Sequence, residues 1–285
     1  MTDSPQLSTP PQAGATPDDP DAVATDDTAA AVLIDRRGST LVLTLNRPDR
    51  LNAVNEELYQ TLIAALHLAD TDSRIRCVLL TGSGRAFCVG ADLKEHGSGA
   101  RTRGDRERYV RLGQDVCRLI QSGSTPVVAA VHGYAFGAGA ELAVSSDFLV
   151  LADDALMGFP EVSLGTFVGG GITHRLPRLV GLRRATDLLL LGERFTGTQA
   201  LEWGLAHSVV GPDRVYPAAL ELAERLAEQA PLSVARMKAA LYRADPVDAA
   251  FGAEPRDLLA LMETADWAEG VAAFAQRRTP VFRGE

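Results

Sequence analysis

Thr81-Gly82-Ser83-Gly84-Arg85-Ala86-Phe87-Cys88-Val89-Gly90-Ala91-Asp92 and Gly133-Tyr134-Ala135-Phe136-Gly137-Ala138-Gly139-Ala140-Glu141 are two glycine-rich stretches. Each follows a short apolar run, Cys77–Leu80 and Val127–Val131. Apolar runs of that length, bounded by Gly and Pro, read as buried strands. The chain therefore twice runs from a strand into a turn of small residues, and Ala138–Val144 carries the second turn on into a helix. Working outward, Ala31–Asp35 and Leu41–Leu45 flank Arg37-Gly38-Ser39 as a β-hairpin. Leu58, Leu62 and Leu66 fall at helical spacing, with Asn55 placed to cap the helix. His96–Arg108 is polar and glycine-containing and reads as a mobile loop before a helix at about Glu107–Ile120. Phe148–Leu151 and Met157–Phe159 are further strand candidates. From Thr173 onward the pattern is helical, over 183–191, 198–203, 216–229, 231–243 and 254–275. Together these predict an α/β core over residues 31–195 and a helical C-terminal region over 196–285.

Composition narrows the setting. The 285 residues are 46% hydrophobic and 23% charged, with a net charge of −9. That is enough chain for one large core without staples, and ordinary globular usage. Asp3, Asp18, Asp19, Asp21, Asp26 and Asp27 precede the first basic residue, Arg36, so the stretch 1–31 holds −6 of the total and the remainder −3. Five of the 15 prolines also lie there. Residues 1–30 read as a disordered, acidic, Pro-rich tail. A basic nucleic-acid surface is not expected. The N-terminus lacks the basic start and apolar run of a signal peptide, and no apolar run reaches the ~18 residues of a membrane span. Cys77, Cys88 and Cys117 form no metal or redox spacing and read as small buried hydrophobes. A reduced, cytoplasmic setting follows.

A dinucleotide fingerprint is the first thought for the glycines, and it fits poorly. Phe87 and Leu142 stand where the third glycine belongs, and neither stretch sits in an opening βαβ unit. Small residues at strand ends also let bare N–H groups approach a ligand, and one such group at a helix start favours developing negative charge. Two of them make an oxyanion hole. Glu141 and Glu161 both lie among apolar neighbours, where carboxylates are rare unless paired or functional. The two are the parts of a general acid/base pair. Taken singly, each glutamate also fits a salt-bridged or solvated residue, and the glycines also fit plain tight turns. His132 and His174 lack a metal-ligand partner and read as structural.

At this point the residues resemble a known family, the enoyl-CoA hydratase/isomerase (crotonase) family, and within it most of all the enoyl-CoA hydratases. The likeness runs from about Val32 to Phe282. It is carried in order by Leu45-Asn46-Arg47-Pro48-Asp49-Arg50-Leu51-Asn52-Ala53, by Thr81 to Lys94, by Val131-His132-Gly133 through Glu141-Leu142, by Phe159-Pro160-Glu161 with Leu164-Gly165, and by Glu269 to Phe274 with Arg277 to Phe282. The resemblance implies a spiral of ββα turns with a helical C-terminal trimerisation region, assembled as a homotrimer or dimer of trimers. It implies an acyl-CoA thioester as substrate, no membrane or nucleic-acid partner, and no metal or cofactor beyond the CoA that the substrate carries. By position the oxyanion donors are the backbone N–H groups of Ala91 and Ala138, the latter where the family often has Gly. Arg50, Val89, Ala91, Asp92, Leu93, Lys94 and Arg277 are the implied CoA contacts.

Two glutamates at the hydratase positions imply hydration of a 2-enoyl-CoA to a 3-hydroxyacyl-CoA in fatty acid metabolism such as β-oxidation. Glu161 takes a proton from water and delivers one to the α-carbon, and Glu141 orients and helps deprotonate that water. Double-bond isomerisation and thioester hydrolysis on the same fold are the alternatives, with non-catalytic acyl-CoA binding as a further one. Phe167-Val168 and His174-Arg175 stand where many hydratases carry a Pro and a Gln-Arg pair, a change that bears on the acyl pocket and on the helix that follows.

Overall fold

The computed structural model describes residues 30–96, 102–242, 260 and 263–285. The acidic stretch expected to be disordered lies outside the described residues, apart from Ala30. So do residues 97–101 of the expected mobile loop and most of 243–262.

β1 (Val32–Arg37) and β2 (Thr40–Leu45) form the expected hairpin, antiparallel and turned at Gly38-Ser39. β3 (Cys77–Gly82), β4 (Val127–Val131) and β6 (Phe148–Ala152) then add in parallel, and β9 (Ser208–Val210) closes a six-stranded sheet in the order β1-β2-β3-β4-β6-β9. The near-continuous apolar runs of these strands have a physical reason, because both faces of the parallel part are covered. Leu43, Val78, Leu80, Ala129 and Leu151 face one core cluster, while the alternating Val42, Leu79, Val128, Ala130 and Val150 face another. The first is shared with α1 (Glu56–Thr71) and α3 (Arg103–Ser122). The second lies under α8 (Val215–Ala227).

A smaller layer stands beside this sheet. β5 (Tyr134–Phe136), β7 (Leu156–Gly158) and β8 (Arg194–Thr196) form a three-stranded sheet in the order β5-β7-β8. Parallel bridges Cys88↔Ala135 and Val54↔Ala91 extend it. The chain thus repeats one path: a main-sheet strand, a short second-layer segment, then a helix. It runs β2–Val54–α1, then β3–Cys88/Ala91 into α2 (Leu93–His96) and α3, then β4–β5–α4 (Ala138–Ser145), and then β6–β7 and the 3-10 turn Pro160–Leu164. This is the spiral of ββα turns. The turns differ in length, so no fixed repeat shows in the sequence.

Among the described residues, further helices are α5 (Ile172–Val180), α6 (Leu182–Leu190), α7 (Gly197–Glu202), α9 (Pro231–Tyr242) and α10 (Ala265–Gln276). The C-terminal part is mainly helical, but the division expected between 195 and 196 falls inside β8, and β9 lies beyond it. β5, β8 and β9 are three residues each, too short to show a period. The expected loop to Arg108 is also too long. Thr102 and Asp105 form a reciprocal capping box that starts α3 at Arg103. Asn55 caps α1 as expected, accepting from the Leu58 N–H. The three cysteines are free and buried. Among the described residues no helix is long and apolar enough to cross a membrane.

The second layer packs without side chains where α4 meets residue 88. A Cβ on Gly139 would lie 2.1 Å from the Cys88 carbonyl oxygen. That contact is backbone and has no rotamer to give. Gly139→Ala should therefore lower the unfolding free energy by about 2 kcal/mol or more. Urea unfolding monitored by circular dichroism checks this, and an unchanged midpoint would mean that α4 can lift from residue 88 without cost.

Candidate active site

Four of the expected site residues come together where the second layer meets α4. The first is set by a break in strand alternation. Cys88 exchanges both of its backbone hydrogen bonds with β5, donating to Tyr134 O and accepting from Phe136 N. Val89 turns the other way and donates to Leu51 O. A regular strand would next turn Gly90 to β5 and Ala91 away from it. Gly90 has φ +95°, a region open to glycine, and its carbonyl accepts instead from Val54 N while Asp92 N donates to Val54 O. With residues 90 and 92 facing Val54, the Ala91 N–H is turned away from Val54.

The second donor is Ala138, the first residue of α4, whose N–H has no acceptor within the helix. The position a Gly90 Cβ would take is 3.5 Å from Ala138 N, so the two segments touch at backbone. Glu161 lies in the 3-10 turn that Pro160 opens, and its Oε1 is 3.0 Å from where a Gly137 Cβ would stand. Its Oε2 is buried without a hydrogen-bond partner. Burial raises its pKa. A buried carboxylate oxygen without a partner is costly and is the kind of group a ligand satisfies.

Glu141 sits in the first turn of α4 and is 6% exposed. Its Oε1 accepts from Gly169 N at 2.8 Å. A Cβ on Gly170 would lie 2.9 Å from Oε2 and 2.7 Å from the Cys117 sulfur, so the glycines of 169–171 let the backbone wrap this carboxyl. Its pKa is pushed up to about 7, mainly by burial; the charge of Glu161 adds to the rise, and the Gly169 and Gly170 N–H groups oppose it. The arrangement is two carboxyls of raised pKa beside the Gly90–Ala91 and Gly137–Ala138 backbones. Such a set can hold a water and move protons while a developing oxyanion is stabilised.

The other expected contacts divide. Arg50 and Lys94 are exposed on either side of the Val54–Ala91 bridge, Leu93 is exposed, and Val89 is half-buried. The side chain of Asp92, one of the expected CoA contacts, turns inward. Its Oδ2 pairs with Arg47 at 3.0 Å and its Oδ1 accepts from Lys94 N at 3.2 Å. Burial raises its pKa, but the Glu95 N–H and Arg47 outweigh that and hold it below the usual range. Arg277 is exposed at the end of α10, with φ +54°. Among the described residues, the hydrogen bonds of this C-terminal segment run within itself and to Arg76, not to 89–94.

Three groups escaped sequence reasoning. Arg47 donates to Ala53 O, Asp92 and Glu95 and so pins 91–95 in place. Asn52, fully buried with φ +57°, donates to Ser83 O at 2.9 Å and Ala86 O at 2.8 Å. A buried Asn between Leu51 and Ala53 was the available signal. The third is the 169–171 turn itself. Beyond that turn lies a cleft of about 800 Å³ among α3, α5 and α9, which neither glutamate lines. No group of three or more metal-ligating side chains occurs among the described residues.

The sequence pattern of the family described as enoyl-CoA hydratase/isomerase matches residues 35–285. The chain is 38% identical over 258 residues to the 2,3-dehydroadipyl-CoA hydratase of Escherichia coli, covering 89% of this chain and 98% of that protein. It is 37% identical to the 1,2-epoxyphenylacetyl-CoA isomerase of the same organism, over 86% and 95% of the two chains. The solved structure of an enoyl-CoA hydratase from Bacillus anthracis superposes with a TM-score of 0.85 at 32% identity, covering 90% of this chain and all of that one. One from Mycobacterium tuberculosis superposes with a TM-score of 0.80 at 33% identity, over 90% and 100%.

The raised pKa of Glu141 has a consequence for stability. A carboxyl whose pKa is higher folded than unfolded favours the fold while it is protonated. That contribution is present below the ordinary pKa near 4.5 and is lost as pH rises through about 7. Glu141→Gln keeps an acceptor for Gly169 and cannot ionise. Its melting temperature should match that of the parent near pH 4.5 and exceed it by at least ~2 °C at pH 8. A constant difference across pH would show that Glu141 ionises in the fold as it does in water.

Proposed function

Because the chain belongs to the enoyl-CoA hydratase/isomerase family, we propose that it adds water across the double bond of a 2-enoyl-CoA thioester to give the 3-hydroxyacyl-CoA. The observation that carries this reading is the pair of glutamates of raised pKa, one with a buried oxygen left open, set against the Gly90–Ala91 and Gly137–Ala138 backbones. In this reading the thioester oxygen lies between the Ala91 and Ala138 N–H groups, which take up the negative charge of the enolate-like transition state. A water is held between the two carboxyls over the β-carbon. Its hydroxyl adds to that carbon and its proton passes to the carboxyl pair, with Glu141 orienting it. Glu161 delivers a proton to the α-carbon, so the pair ends with the number of protons it began with. Close carboxyls titrate as one coupled unit, which suits an exchange of this kind near neutral pH. An isomerase needs one such carboxyl, and the presence of the second favours hydration.

Arg50 and Lys94 are proposed partners for CoA phosphates, with the backbone of 89–93 along the pantetheine. Asp92 serves that segment by fixing its shape. The helical C-terminal region, including Arg277, is read as an assembly surface that brings this cation to the CoA of a neighbouring subunit.

Mixing the protein with crotonyl-CoA and longer 2-enoyl-CoA esters should remove the absorbance of the conjugated thioester and yield a product heavier by one water. Glu161→Gln should lower kcat by about 10²- to 10⁴-fold while CoA-ester binding persists. Release of free thiol, or conversion of a 3-enoyl ester alone, would overturn hydration in favour of hydrolysis or isomerisation. In the same assay Arg50→Ala and Lys94→Ala should raise KM with kcat nearly unchanged, and the effect should shrink as salt is raised. A fall in kcat at constant KM would place these cations elsewhere than on the CoA.

A further inference from the structure

One neighbouring segment holds α4 at both ends. At its start, the Glu141 carboxyl accepts from Gly169. At its end, Arg175 donates from Nε to Val144 O and from Nη2 to Ser146 O, the latter at 2.8 Å. These are carbonyls that the last turn of a helix leaves open, at the pole where a cation is favoured. Gly169 and Arg175 are six residues apart on one stretch of chain. Gly171 O accepts from both His174 N and Arg175 N at 3.1 Å, so the turn and the first turn of α5 are joined. On its other side the guanidinium donates to Tyr242 Oη at 3.0 Å and lies 4.8 Å from that ring's centre. Tyr242 in turn donates to Asp147 at 2.8 Å, and the buried Lys238 pairs with the other Asp147 oxygen at 2.8 Å.

We propose that Arg175 is a positioning residue for the reaction: it fixes the Gly169–Gly171 turn against Glu141 and, through Tyr242, ties that placement to the docking of α9. This rests on the reading that Glu141 takes part in hydration. The groups facing the Glu141 carboxyl are Glu161 from the 3-10 turn, Tyr59 from α1, Cys117 from α3 and the N–H groups ahead of α5. Of these, the N–H groups are the ones whose position Arg175 sets, and they favour the ionised form. Loosening them leaves burial and Glu161 less opposed, so Glu141 should ionise at higher pH.

The test compares Arg175→Lys and Tyr242→Phe with Glu141→Gln and the parent, measuring kcat and KM on the same enoyl-CoA ester across pH, together with the melting temperature. Arg175→Lys keeps the charge at the end of α4 but not the geometry of the fork. It should lower kcat roughly 10-fold with KM changed less than about 2-fold. The pH limb belonging to the carboxyl pair should move up by about half a unit. Tyr242→Phe should shift both in the same direction by less, and it decides alone if Arg175→Lys does not fold. A lowered melting temperature with kcat and the pH limb unchanged would make the arginine a structural brace and overturn the proposal. Full activity in Glu141→Gln would overturn the hydration reading instead.

Discussion

The site depends on two strips of backbone pressed together with no side chain between them. Residues 88–91 and 135–139 meet at Gly90, Gly137 and Gly139, and Gly139 has no room for even a methyl group. Everything chemical is measured from that contact. It brings the start of α4 against the Gly90–Ala91 backbone and gives Glu161 a floor with no side chain. The spiral of the chain makes the contact possible. Each main-sheet strand hands on to a second-layer segment, and adjacent segments pair in parallel, so successive turns deliver their strand ends to one place.

Against this close packing stands an electrostatic cost. Two carboxyls are taken out of water where an apolar residue of similar size would stabilise the fold. Burial dominates both shifts, and at Glu141 the charge of Glu161 adds to it. The backbone N–H groups ahead of α5 offset only part of the cost at Glu141, and Glu161 keeps one oxygen with nothing to bond. A sheet covered on both faces supplies the stability that lets such groups persist, and the ligand would complete what the fold leaves open.

Much of this was legible in the sequence, and the limits have physical causes. Glu141 and Glu161 stood out because charge among Ala, Leu and Phe is expensive. Small residues after buried strands marked the two stretches of close backbone approach, and the family resemblance placed the donors at Ala91 and Ala138 within them. The inward turn of Asp92 was not legible, since it depends on Arg47, 45 positions earlier in the chain, and no local pattern reports such a pairing. β5, β8 and β9 are too short to show a period. The start of α3 was misplaced because its cap, Thr102 with Asp105, lay inside a polar run that read as loop.

The second-layer register also separates what must be kept from what is free to vary. Ala91 is fixed by its bridge to Val54 and Ala138 by its place after β5, while the stretches that leave this layer for the helices have unequal lengths. Insertions and deletions in those excursions leave these two backbone N–H groups where they are. On the proposed reading, selectivity for the acyl group can therefore drift through the connecting segments while the backbone groups that would polarise the thioester keep their places.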